Sequence, residues 1–171
     1  MHRFQNPTES REIFAQRVAA AFLAALLFCF VLPESGVAKT LPTDGDPIIV
    51  ETGSGPVEFS VELALTPADR STGLMNRQSM PATHGMLFRF ERSRQVLMWM
   101  KNTPLPLDMV FINEEGVVAG IAADTTPFSE AIIPSPGPVR YVLELNAGTA
   151  ARTGIRAGDK VRHRVVGTQS D

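Results

Sequence analysis

Val57-Glu58-Phe59-Ser60-Val61-Glu62-Leu63-Ala64-Leu65 alternates apolar side chains with Glu58, Ser60 and Glu62. A strand turns successive side chains to opposite faces, so this spelling describes a half-buried strand. The next four residues change the rule. In Thr66-Pro67-Ala68-Asp69 the Thr supplies an N-cap oxygen, Pro suits the first helical position, and Asp falls where a capping box places its acid. A helix of two to three turns is expected from here to about Arg77, burying Ala68, Leu74 and Met75.

Downstream, Met86–Phe90 and Gln95–Met100 read as two strands joined by the charged turn Glu91–Arg94. Pro104 and Pro106 keep Thr103–Pro106 out of any central strand, because proline cannot donate to a ladder. Leu107–Ile112, the turn Asn113-Glu114-Glu115-Gly116 and Val117–Ala122 spell a hairpin. Asp124 to Pro138 is a long proline-containing loop, a common place for binding residues. Val139, Tyr141, Leu143 and Leu145 form another alternating strand. Ala147–Thr153 is a helical turn or two, ended by Gly154, and Val161–Val166 is a last strand. Many short strands with two small helices predict an α+β domain that is predominantly antiparallel, a small curled sheet or partly closed barrel.

Upstream, Arg3, Arg11 and Arg17 precede an apolar run from Val18 to Leu32, and Gly36-Val37-Ala38 offers small residues for cleavage. This is the layout of a secretory signal peptide over residues 1–38, with an uncleaved anchor as the alternative. The expectation is a periplasmic or exported protein, tethered to the inner membrane by residues 18–32 if the leader stays. Lys39 to Pro56 reads as a flexible spacer holding one short strand at Ile48–Val50, residues 57–166 as a single globular domain, and 167–171 as a tail.

Without the leader, 133 of the 171 residues remain, enough for one domain with its own core. Sixteen basic residues face eighteen acidic ones, which gives no electrostatic footprint for nucleic acid. The single cysteine, Cys29, lies in the leader, so thiol catalysis and Cys-type metal sites are excluded from the mature chain.

The densest candidate for chemistry is Met98-Trp99-Met100-Lys101-Asn102-Thr103 followed by Asp108. A cation, an amide and a hydroxyl beside an indole suit an anionic or hydroxylated small ligand; equally, they suit a rigid turn. Arg70 and Arg77, seven apart on the expected helix, add planar forks for an oxyanion on one face. The ligand-binding set is therefore Trp99, Lys101, Asn102, Thr103 and Asp108, with Arg70 and Arg77 nearby. An alternative is a carrier of Cu(I) or Ag(I) built from Met98, Met100, Met86 and His84, since thioethers and imidazole are ligands for soft ions. A third reading is a hydrolase using two of Asp108, Asp124, Glu130 and Glu144. His163, in phase with Val161 and Val165, points inward. There is no G-x-S-x-G, H-E-x-x-H or P-loop, so the inventory leans away from an enzyme.

Ser71-Thr72-Gly73-Leu74-Met75-Asn76-Arg77, Gly85-Met86-Leu87-Phe88-Arg89-Phe90, Met98-Trp99-Met100-Lys101-Asn102-Thr103, Pro106-Leu107-Asp108-Met109 and Gly154-Ile155-Arg156-Ala157-Gly158-Asp159 resemble the family called domain of unknown function 192. The resemblance covers residues 57–166. It implies a small single-domain protein with an exported or membrane-anchored N-terminus, and it brings no activity, substrate or catalytic residue. It also implies Pro-Cys pairs in the loop after the central hairpin of some members; here that loop reads Thr125-Thr126-Pro127-Phe128. The expected role is an uncharacterised exported binding or accessory module. Its partner is an unidentified small ligand or periplasmic protein, its cofactor is unknown, and membrane contact comes only through the leader.

Overall fold

The computed structural model describes residues 36–167, so all but the last three residues of the expected leader 1–38 lie outside them. The elements run β1 (Ile48–Thr52), β2 (Gly55–Ala64), α1 (Pro67–Thr72), β3 (His84–Met98), β4 (Leu107–Ile112), β5 (Val118–Ala122), β6 (Ile133–Asn146), α2 (Thr149–Thr153) and β7 (Lys160–Arg162). All seven strands share one sheet in the order β5-β4-β6-β3-β2-β1-β7. Only β2 and β3 pair in parallel, with α1 in the connection between them. Every other pair is antiparallel.

The two outermost strands meet. Val117 bridges Lys160, the Val118 amide donates to Asp159 O at 2.9 Å, and the Val161 amide donates to Gly116 O at 2.7 Å. Gly116 makes this approach possible. Its φ is +79°, and a Cβ there would stand 3.0 Å from Val161 O. The fold is α+β and largely antiparallel, a strongly curled sheet that is partly closed, as the patterning predicts.

Alternation along the strands fills two cores. Val50, Phe59, Val61, Leu87, Val110, Ile112, Tyr141, Leu143 and Val161 are among those that pack inside the curl. Their neighbours on β3, β4 and β6 (Met86, Phe88, Met109, Phe111 and Val142) face outward into a second core with Leu74, Met80, Met100 and Leu107. β4 is consequently buried at all six positions. A sheet covered on both faces explains why such strands read as continuous apolar runs.

Several expectations are corrected. α1 has six residues and stops at Gly73, whose φ is +46°, so Leu74 is buried beyond the helix while Ala68 stays exposed. The two strands predicted from Met86 to Met100 are one 15-residue strand. Glu91–Arg94 does not turn the chain; it is absorbed by a register shift against β6 between Arg89 and Arg94. Ser135 fills the next irregularity, accepting from the Val96 amide at 3.0 Å and donating to Gly137 O at 2.6 Å. β6 begins at Ile133, inside the stretch read as loop. The last strand ends at Arg162, after which the His163 side chain turns inward to Asp46 O at 3.1 Å. β1 lies between β2 and β7 with Ile48 and Val50 fully buried, so part of the stretch read as spacer is in the sheet.

Candidate functional site

A cavity of about 320 Å³ opens on the outer face of the sheet, between α1 with the turn after it and the segment Leu97–Thr103. Its position follows from local sequence. α1 is too short to cover the second core, and the left-handed Gly73 turns the chain back so that it sits 3.1 Å from Phe88 by any added Cβ. Across the opening, β3 ends at Met98 and the chain enters a turn at Lys101-Asn102. Asn102 has φ +53°, and its carbonyl accepts from the Asn76 amide at 2.7 Å. That bond holds the two walls together.

The floor holds a surprise for sequence reasoning. Glu144 projects from β6 on the outward face, flanked in register by Met86 of β3 and Met109 of β4. It is 4% exposed and lines the cavity. Among the described residues its carboxyl has no hydrogen-bond or ionic partner; burial alone acts on it and pushes it up to about 8 from the usual 4.5. A carboxyl in an apolar setting keeps its proton, because the charged form loses its water. At neutral pH Glu144 is therefore a neutral group with one O–H to donate. Among the described residues it is the only carboxylic acid lining the cavity.

The rim carries Trp99, 44% exposed, with Lys101 Nζ 5.4 Å from its ring centroid. Lys101 also lies 3.8 Å from Glu130. Thr103 contributes a hydroxyl that donates to Lys101 O at 3.1 Å. Arg70 lines the opposite wall, but its guanidinium is occupied. It donates to Leu65 O at 2.7 Å and Arg89 O at 2.8 Å, pairs with Glu91, and lies over the Phe90 ring with Arg94 on the same ring.

Of the residues singled out from the sequence, Trp99, Lys101, Thr103 and Arg70 meet around this cavity. Asn102, Asp108 and Arg77 do not. Asn102 is exposed and serves the turn. Asp108 is fully buried, accepting from the amides of Asp124 at 2.9 Å, Gly148 at 3.1 Å and Ala150 at 2.8 Å. Arg77 leaves the helix altogether and forms a buried bidentate pair with Glu62, while donating to Lys39 O at 2.8 Å. Glu62 also accepts from the Leu41 amide at 2.7 Å. Burial raises the Glu62 carboxyl, but the bonds from Arg77, Leu41 and His84 outweigh it and hold the group below its usual range.

The soft-metal set is dispersed in the same way. Both ring nitrogens of His84 are engaged, Nδ1 with Ser60 Oγ at 2.7 Å and Nε2 with Glu62 at 3.1 Å. Met86 and Met100 sit in the second core, and the Met100 sulfur accepts from Thr125 Oγ1 at 3.2 Å. Met98 alone of the four lines the cavity. Among the described residues no three His, Cys, Asp or Glu side chains converge on a cation site. Of the acids considered for hydrolysis, only Glu144 reaches the cavity.

The alternation of Val139, Tyr141, Leu143 and Leu145 would set Glu144 on the solvent face of its strand. One signal pointed the other way: Val142 occupies that same face and is apolar.

The DUF192 family model, described as an uncharacterized ACR, matches residues 48–163. A crystal structure from Sinorhizobium meliloti 1021, described only provisionally as a transcription regulator, shares 47% identity and a TM-score of 0.69 over 72% of this chain and 97% of that one. A crystal structure of a protein of unknown function from Novosphingobium aromaticivorans DSM 12444 shares 37% identity and a TM-score of 0.69, over 75% of this chain and 95% of the other. No curated protein matches. With a family model spanning most of the sheet and two solved folds of this similarity, the chain belongs to the DUF192 family.

Proposed function

We propose that this protein is an exported small-molecule-binding module whose site is the cavity between α1 and Trp99. One observation carries the reading: a buried carboxyl without a partner among the described residues faces an opening rimmed by a half-exposed tryptophan. Leaving a buried polar group unpaired costs about 1–3 kcal/mol, and such groups call for an explanation. A ligand that completes the hydrogen bond supplies one. The cavity volume falls at the lower end of sites for small organic molecules, which run from roughly 300 to 1,000 Å³. Export is inferred from the leader composition alone. A nucleic-acid role, suggested by the description of the Sinorhizobium relative, finds no support in a chain with 16 basic and 18 acidic residues.

The test uses the single tryptophan as its reporter. A metabolite library is screened by Trp99 fluorescence and by thermal shift. A bound ligand at a hundred times its Kd adds about 2.7 kcal/mol to stability, a rise of several degrees in Tm. Trp99→Ala and Glu144→Leu should fold normally and lose that rise. A ligand that stabilises wild type and both variants equally would place binding elsewhere.

A further inference from the structure

We infer that the cavity receives an uncharged polyhydroxylated ring, a sugar or cyclic polyol, which lays an apolar face against Trp99 and accepts a hydrogen bond from Glu144. The inference rests on the binding reading above and adds the chemical class. Three observations carry it.

The first is the state of the floor. Glu144 lies between Met86 and Met109, with no cation of the described residues in bonding distance, so it meets a ligand as a neutral O–H donor and a carbonyl acceptor. A cationic ligand would have to drive that proton off and bring its own charge out of water beside the carboxylate, a desolvation cost that a neutral ligand does not meet.

The second is the state of the rim cations. Arg70 is spent on two carbonyls and Glu91, and Lys101 lies over the indole within 3.8 Å of Glu130. Arg94, the third cation on the lining, donates to Gln95 O at 3.1 Å and lies over the Phe90 ring. An anionic ligand would compete with these contacts for each of the three cations.

The third is the remaining polar lining. Thr72 and Thr103 both donate their hydroxyl protons to backbone carbonyls, Ala68 O at 3.1 Å and Lys101 O at 3.1 Å. Their oxygens remain as acceptors. The wall therefore mixes acceptors at the sides with a donor at the floor, next to an aromatic face. Hydroxyl groups both give and take hydrogen bonds, and the C–H face of a saturated ring packs against indole.

Glucose, glucosamine and glucuronate test charge on a constant ring, with myo-inositol as the polyol, each titrated against the full-length protein by Trp99 fluorescence and calorimetry. The expected order puts the neutral rings at least tenfold tighter than either charged one. Glu144→Gln, which keeps a donor at the same position, should bind within about threefold of wild type, whereas Glu144→Leu should lose at least tenfold. Wild-type affinity should fall as pH is raised through about 8, and that of Glu144→Gln should not. Tighter binding of glucosamine, or affinity that rises with pH, overturns the inference and leaves a cation site. No response to any neutral ring also overturns it. If library compounds still perturb Trp99 in that case, the cavity keeps its binding role; if nothing does, both readings fail.

Discussion

Glu144 keeps its proton over a pH range in which most carboxyls are ionised, and this gives the molecule a pH dependence that can be measured without a ligand. In the folded chain the group titrates at about 8, against 4.5 for an ordinary glutamate. Between those values the folded state binds more protons than the unfolded one. Its contribution is therefore fully present below pH 4.5 and is lost as pH rises through about 8, with a slope of at most about 1.4 kcal/mol per pH unit. Urea unfolding across this window should show the slope in wild type and a flatter profile in Glu144→Gln. Glu144→Leu should be more stable than wild type at neutral pH by about 1–3 kcal/mol, since it removes an unpaired buried polar group. A wild-type profile as flat as the Gln variant's would mean that the carboxyl has found water or a partner. At this scale the sequence was legible in type but not in placement. Trp99, Lys101, Thr103 and Arg70 were recognisable as a polar and aromatic set, and they do share a cavity. Glu144 was weighed only as one of a pair of catalytic acids, because a single apolar neighbour on its face, Val142, does not say that a helix and a turn will cover it.

Among the elements, α2 depends on a residue far from it in sequence. Gly148 stands at its N-cap and brings no side-chain bond. Asp108 of β4 takes that role instead, accepting from Gly148 and Ala150 with one carboxylate while a third bond holds Asp124 in the loop after β5. Asp108→Ala should cost about 3 kcal/mol or more, because three amides lose their acceptor inside the protein. Asp108→Asn should cost less, since the amide oxygen still accepts. Chemical denaturation of both variants decides it, and equal stability of the Ala variant would show that water replaces the carboxylate. The sequence marked Asp108 as unusual, an acid inside an apolar run, and could not say whether it faced a ligand or the backbone. The same limit applied to Arg70 and Arg77. Their spacing was read on a helix that Gly73 cuts short, and the second arginine was drawn to Glu62 instead.

For the whole molecule, period-two patterning made the strands legible and left their pairing open. The parallel β2–β3 contact and the meeting of β5 with β7 are products of long-range closure that no local spacing encodes. That seam has a checkable signature. The amides of Val118 and Val161 bond across it, so their hydrogen exchange should be slowed to the level of interior strands rather than that of a free edge. Fast exchange at both would mean an open sheet. The two cores have a further consequence, for how such a protein can change. Residues inside the curl pack on the face of the sheet away from the cavity, which is walled by side chains of the outer core and by two turns. Substitutions at Met75, Leu97 or Met98 alter the shape of the opening without touching the inner packing. The architecture gives the chain latitude to exchange one occupant for another while the curled sheet beneath stays as it is.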